Sequence, residues 1–186
     1  MSFSPAVNSN PQLYPEVLFY VGKAFYNNGD LEKGEQFLIQ AKTISDSLSA
    51  TNLMANSNKL LGTISLGKGD LEQSLSYFLS AAKIWEESGN KLGLARVYQN
   101  LSAVFFNMDM LNKSQYYDNL LKGIAEDLDN DLLRLDAMSN TANNSMTYGI
   151  KYYLQNEQDT SNLQKSLDTL DFYFKKSEIE FYEGLD

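Results

Sequence analysis

The same set of residues recurs three times along this chain, at a spacing of 40 residues. The shared positions are Gly22, Asp30, Leu31, Gly34, Leu38, Ala41 and Ile44 in the first copy, Gly62, Asp70, Leu71, Ser74, Phe78, Ala81 and Ile84 in the second, and Ser102, Asp109, Leu111, Ser114, Leu121 and Ile124 in the third. A fixed period of this kind indicates a repeat array, in which a single unit cannot bury its apolar face without a neighbour.

Each copy has the signals of two helices separated by a short break. All three prolines lie within the first fifteen residues, so the remainder of the chain can be helical nearly throughout. We therefore expect an all-α protein with a loose lead-in at residues 1–11 and one domain at residues 12–186. The predicted units, each a pair of antiparallel helices, give eight helices and cover residues 12–50, 51–90, 91–130 and 131–186.

The breaks are predicted from glycine and aspartate. Gly29 and Gly69 can end a helix in the left-handed conformation, and Asp30 and Asp70 can cap the next helix. The third break, Asn107-Met108-Asp109, has no glycine, so we expect its cap one residue earlier and its turn strained or differently shaped.

The fourth unit is a divergent copy. Its first helix should begin near Asp131 and continue beyond the template to a polar turn at residues 156–162. Its second helix is predicted over residues 163–180, with Leu163, Leu167, Leu170, Phe174 and Ile179 facing inward.

Small residues recur on both helices of each unit, at 22, 62, 102 and 142 and at 34, 74 and 114. Glycine within a helix costs about 0.5–1 kcal/mol relative to alanine, so a repeated glycine requires a packing reason. We expect the paired helices to approach closely there, with Phe25, Leu38, Leu61, Phe78, Leu101 and Phe105 filling the space between pairs.

These positions resemble the tetratricopeptide repeat family. The first unit reads Leu18-x2-Val21-Gly22-x2-Phe25 and then Gly34-x3-Leu38-x2-Ala41; the second reads Asn58-x2-Leu61-Gly62-x2-Ser65 and then Ser74-x3-Phe78-x2-Ala81. The third reads Tyr98-x2-Leu101-Ser102-x2-Phe105 and then Ser114, with the aromatic residue displaced to Tyr117. The likeness covers residues 14–128, with a period longer than the usual 34 or so residues.

The resemblance implies a right-handed α-solenoid whose first helices line a concave groove. Among the residues that would line it, Lys23, Lys59 and Arg96 form a basic series, Asn or Gln amides offer hydrogen bonds to an extended peptide, and aromatic rings offer apolar pockets. The candidate partner-binding residues are Phe19, Lys23, Tyr26, Asn27, Asn56, Lys59, Thr63, Arg96, Gln99, Asn100 and Phe106. Only Arg96 matches the carboxylate clamp of the family's chaperone-binding members. The alternative is that these residues form a solvated polar surface that binds no partner.

Composition excludes several classes of function. The formal net charge of −9 argues against a nucleic-acid-binding protein, which needs a basic surface. Cysteine and histidine are absent, which removes thiol nucleophiles, imidazole bases and the usual zinc sites. Carboxylate-only catalysis remains a third alternative, but no acid/base pair stands out in the sequence, so we predict no catalytic residues, cofactor or metal, and no enzyme activity.

The leading hypothesis is a non-catalytic scaffold that binds a protein or peptide partner, with an acidic partner as one candidate. The alternative is a sensory or regulatory segment of a larger bacterial signalling protein, such as a sensor kinase or transcription regulator. No apolar run is long enough for membrane insertion. The opening residues lack the features of a secretory signal, which favours the cytoplasm, although an exported fragment without its leader would look the same.

The last predicted helix carries apolar residues on more than one face, whereas terminal units of such arrays normally have a polar outer face. We therefore expect Phe172, Tyr173 or the Phe181-Tyr182 pair to be exposed. Further repeats or self-association would cover them, and a fourth unit that folds back on itself is the alternative.

Overall fold

The computed structural model describes residues 13–156 together with Asp168, Asp171, Phe172, Phe174 and Lys175. This part of the chain is all-α and contains no strand. Its helices are α1 (Leu13–Asn27), α2 (Leu31–Ser47), α3 (Thr51–Gly67), α4 (Leu71–Ser88), α5 (Lys91–Asn107), α6 (Leu111–Asp127) and α7 (Asp131–Asn156). The predicted lead-in lies outside the described residues, as does most of the predicted helix at 163–180.

Helices that follow one another in the chain pack together, and the contacts are most extensive within the pairs α1–α2, α3–α4 and α5–α6. The odd-numbered helices also contact one another, α1 with α3, α3 with α5 and α5 with α7. Over residues 13–156 no two even-numbered helices are in contact. The odd-numbered helices therefore form one continuous face of the array, which we call the inner face.

The turns within pairs share one backbone conformation. Gly29 and Gly69 have φ angles of 82° and 81°, and Asp30 and Asp70 cap the helices that follow, accepting from the backbone N–H groups three residues on at 3.1 and 3.0 Å. Asn90 caps α5 in the same way. The glycine and cap residues in the sequence therefore predicted correctly where these helices begin.

The third turn corrects part of the prediction. Asp109 is not a cap: it has a φ of 60° and occupies the left-handed position of Gly29 and Gly69. Met110 stands at the cap position and gives α6 no side-chain hydrogen bond. The turn is not differently shaped, because Met110 N donates to Phe105 O just as Asp70 N donates to Ser65 O, both at 2.9 Å. The expected strain lies in one non-glycine residue at positive φ.

The small residues lie at the contact between paired helices. A Cβ atom at Gly22 would lie 2.8 Å from Leu38 Cγ, and one at Gly62 would lie 2.8 Å from ring carbons of Phe78. Ser74 Oγ donates to the Gly62 carbonyl at 2.8 Å. The predicted close approach is confirmed in the first two pairs.

Most of the predicted space-filling side chains are buried. Leu38, Leu61, Phe78 and Leu101 are inaccessible to solvent, and Phe105 is nearly so. Phe25 is only half-buried, because its ring stacks on Phe37 at the surface of the first pair.

The predicted longer helix from Asp131 is confirmed, since α7 has 26 residues against the 15 to 18 of the others. Phe174, predicted to face inward, is 39% exposed. That prediction was wrong because helical spacing does not reveal whether a neighbouring helix covers a face. Phe172 is 61% exposed, as expected, whereas Tyr173 and the Phe181-Tyr182 pair lie outside the described residues. Within the described residues, no helix has both the length and the apolar character needed to cross a membrane.

Candidate functional site

Three basic residues form a diagonal across the inner face, one on each of α1, α3 and α5. Lys23 follows the small residue Gly22 directly, Lys59 precedes Gly62 by three residues, and Arg96 precedes Ser102 by six. The charge therefore moves by four residues and then by three, about one helical turn per unit. The three helices contact in sequence, with the helix that carries Lys59 in the middle.

The pKa of Lys59 shows that the three positive charges act on one another. Burial lowers the pKa of the Lys59 amine, and the positive charges of Arg96 and then Lys23 lower it further. Lys59 is half-buried rather than exposed. Lys59, on the middle of the three helices, is therefore less accessible than Lys23 and Arg96, which are both exposed.

We define Lys23, Lys59 and Arg96 as the basic diagonal, and no carboxylate among the described residues compensates its charge. None of the three makes a salt bridge within the described part of the chain. Five other cations there do have acidic partners, namely Lys33, Lys68, Lys91, Arg134 and Lys175, whereas Lys42, Lys83, Lys113 and Lys122 have none among the described residues. Like charges brought together and partly desolvated destabilise one another, and an anion placed among them would relieve that repulsion.

A cleft of about 440 Å³ opens beside this diagonal. Its lining consists of Lys59, Leu92, Arg96, Gln99, Asn100, Asn130 and Leu133. Four of these are predicted site residues, and the structure brings them to one place. Leu92, Asn130 and Leu133 were missed, and the period could not have marked Leu133, which corresponds to Gly93 in the preceding unit. The cleft thus combines two cations with amides and two apolar side chains.

The polar groups of the predicted site are partly engaged by their own helices. Asn56 and Asn100 each donate from Nδ2 to the backbone carbonyl four residues earlier, at 2.9 and 2.8 Å. Thr63 Oγ1 donates in the same way to the Lys59 carbonyl at 3.0 Å. Each amide nitrogen has a second hydrogen for a ligand, and the Gln99 side chain makes no hydrogen bond to any described residue.

The aromatic residues of the predicted site offer less apolar surface to a partner than predicted. Phe19 and Tyr26 pack against a buried cluster of Leu38, Leu60, Leu61 and Ile64, so each ring is half-buried. Phe106 is also half-buried, whereas Asn27 is exposed at the end of α1. The rings are thus partly occupied with packing, and the cleft's apolar surface comes from Leu92 and Leu133 instead.

No protein-family model matches this chain, and no curated protein matches it at a significant level.

Proposed function

We propose that this chain is a non-catalytic binding scaffold whose inner groove holds an extended acidic segment of a partner protein. The proposed architecture is a right-handed α-solenoid of the tetratricopeptide type, with four units and eight helices. The support for it is the resemblance over residues 14–128, the paired helices with common turns, and the inner face formed by α1, α3, α5 and α7.

The observation that carries the proposal is the uncompensated basic diagonal. In a chain with a formal net charge of −9, carboxylates are plentiful, yet none in the described part of the chain pairs with Lys23, Lys59 or Arg96. Acidic side chains of a partner would supply that missing charge. Gln99 and the free hydrogens of Asn56 and Asn100 would bind the partner's backbone, and Leu92 with Leu133 would receive an apolar side chain.

The test is binding of a fluorescent glutamate-rich peptide containing leucine, followed by anisotropy. The inner variant carries Lys23→Glu, Lys59→Glu and Arg96→Glu. The control variant carries Lys42→Glu, Lys83→Glu and Lys122→Glu on the even-numbered helices, which changes the formal charge by the same amount. We expect the inner variant to lose binding, chiefly through a slower association that depends on salt, and the control to retain most of it. Equal losses in both variants would mean that the probe responds only to net charge.

The pH dependence gives a second readout. Since the pKa of Lys59 is lowered, its amine loses its charge at a lower pH than an ordinary lysine does. Peptide binding by the wild-type protein should therefore weaken as pH rises through that depressed pKa. The Lys59→Arg variant, whose guanidinium stays charged, should keep its affinity over the same range. Parallel pH profiles for the two proteins would remove Lys59 from the binding site.

A further inference from the structure

A carboxyl group occupies a core position in the third pair. Asp118 on α6 stands 40 residues after Phe78 and 80 after Leu38, and both of those side chains are inaccessible to solvent. Asp118 is itself only 2% exposed. In the third pair, an ionisable side chain thus stands where the first two pairs have a large apolar one. This position lies at the contact with α7.

Four polar side chains from three helices meet there, and we call them the buried polar cluster: Ser102 on α5, Ser114 and Asp118 on α6, and Asn144 on α7. Asn144 Nδ2 donates to Asp118 Oδ2 at 3.2 Å, and it also lies 3.2 Å from Ser114 Oγ and 3.4 Å from Ser102 Oγ. The two serine hydroxyls are hydrogen-bonded at 2.9 Å. Asn144 is therefore the polar link between α7 and the third pair.

The cluster does not satisfy an ionised carboxylate. Asp118 Oδ1 is buried and has no hydrogen-bond partner. A buried charge without a counter-ion costs several kcal/mol, far more than a neutral carboxyl. Burial accordingly raises the pKa of Asp118, and hydrogen bonds from Ser102 and Asn144 only oppose that shift.

The described charged groups near this position do not supply a counter-charge. On α6, Lys122 is exposed, and the neighbouring Tyr117 ring stacks on Phe105 instead. On α7, the Arg134 guanidinium pairs with Asp129 and Asp131. The α5 residue that meets the carboxyl is the uncharged Ser102.

We propose that the buried polar cluster is a proton-dependent latch, which keeps α7 docked on α5 and α6 while the Asp118 carboxyl is neutral and loosens it when that carboxyl ionises. Docked α7 places Leu133 in the wall of the inner cleft beside Arg96. The latch therefore couples protonation at a buried site to the shape of the candidate binding surface.

The sign of the pH dependence follows from linkage. The docked state holds its proton to a pH above the ordinary value of 3.8, whereas the open state releases it near 3.8. Docking is therefore favoured at low pH and weakens as pH rises between the two pKa values, by up to tenfold in the opening equilibrium per pH unit.

Hydrogen–deuterium exchange across residues 131–150 tests the proposal in the intact chain. Opening is compared between wild type and Asp118→Asn at each pH, so that intrinsic exchange rates and other titrating groups cancel. We expect the ratio of the opening equilibrium constant of wild type to that of Asp118→Asn to grow by up to tenfold per pH unit and then to level off. Glu126→Gln, which removes an exposed carboxylate from the same helix, should behave as wild type. A wild-type to Asp118→Asn ratio that stays constant with pH overturns the latch.

A second measurement does not depend on the variant folding. The carbon-13 chemical shift of the Asp118 carboxyl in wild-type protein should titrate above the ordinary value of 3.8. A transition at or below that value would show that the carboxylate is stable in its charged form, and the latch would be wrong.

Discussion

Replacing Gly62 by alanine tests whether the small residues exist to let paired helices approach. The added Cβ would lie 2.8 Å from two ring carbons of Phe78 and 3.0 Å from a third, whereas carbon atoms in good contact are about 3.5–4.0 Å apart. Phe78 is inaccessible to solvent, so its ring has no free space into which it can turn. The clash must therefore separate α3 from α4 or distort the ring.

Two opposing effects set the size of the change. Alanine in place of a helical glycine stabilises by about 0.5–1 kcal/mol, and overpacking of a core destabilises by about 1–3 kcal/mol. We expect a net loss of about 0–2.5 kcal/mol for Gly62→Ala, equivalent to a fall of up to roughly 5–10 °C in melting temperature for a chain of this size. Gly62→Leu, which adds four carbons, should cost about 3 kcal/mol.

The matched control is Gly123→Ala, in the middle of α6, where an added Cβ meets nothing within 4 Å. Only the propensity effect remains there, so this variant should be more stable than wild type by about 0.5–1 kcal/mol. Both free energies of unfolding come from guanidinium titrations followed by circular dichroism. If Gly62→Ala stabilises the protein as much as Gly123→Ala does, close packing does not explain the repeated small residues.

Three further changes should alter stability in calculable directions. Gly93→Ala would place a Cβ 2.5 Å from the buried Trp85 ring, and should lower the free energy of unfolding by about 1–3 kcal/mol; an unchanged value in chemical denaturation would contradict this. Ser49 has a φ of 54°, so Ser49→Gly should raise the melting temperature by relieving about 0.5–1 kcal/mol of strain. Asp70→Ala removes the acceptor for the Gln73 N–H and should cost about 0.5–2 kcal/mol, measured by calorimetry.

The sequence predicted the helix boundaries well because their signals are local. A glycine followed by aspartate carries both the left-handed residue and the cap, so the starts of α2 and α4 were found within one residue. The third turn was misread because aspartate can itself adopt the left-handed conformation, as Asp109 does. The 40-residue period, which places Leu111 in line with Leu71, predicted the start of α6 more reliably than the cap residue did.

The site was harder to predict because it depends on how separate helices pack. The period identified the helix face that carries Lys23, Lys59 and Arg96, but not the burial of Lys59 between neighbouring helices. Asp118 was overlooked although it stands at the position of Phe78. A break in the apolar pattern was visible there, whereas the period does not show that Asn144 on α7 packs against Asp118.

The most direct test of the central claim is a nitrogen-15 NMR titration of the wild-type protein with the glutamate-rich peptide. We expect chemical shifts to change progressively at five residues of the odd-numbered helices, namely Lys23, Lys59, Arg96, Gln99 and Asn100, while the even-numbered helices stay unperturbed. Shifts confined to α2, α4 and α6, or no shifts at millimolar peptide, would show that the inner face is not an acidic-peptide site.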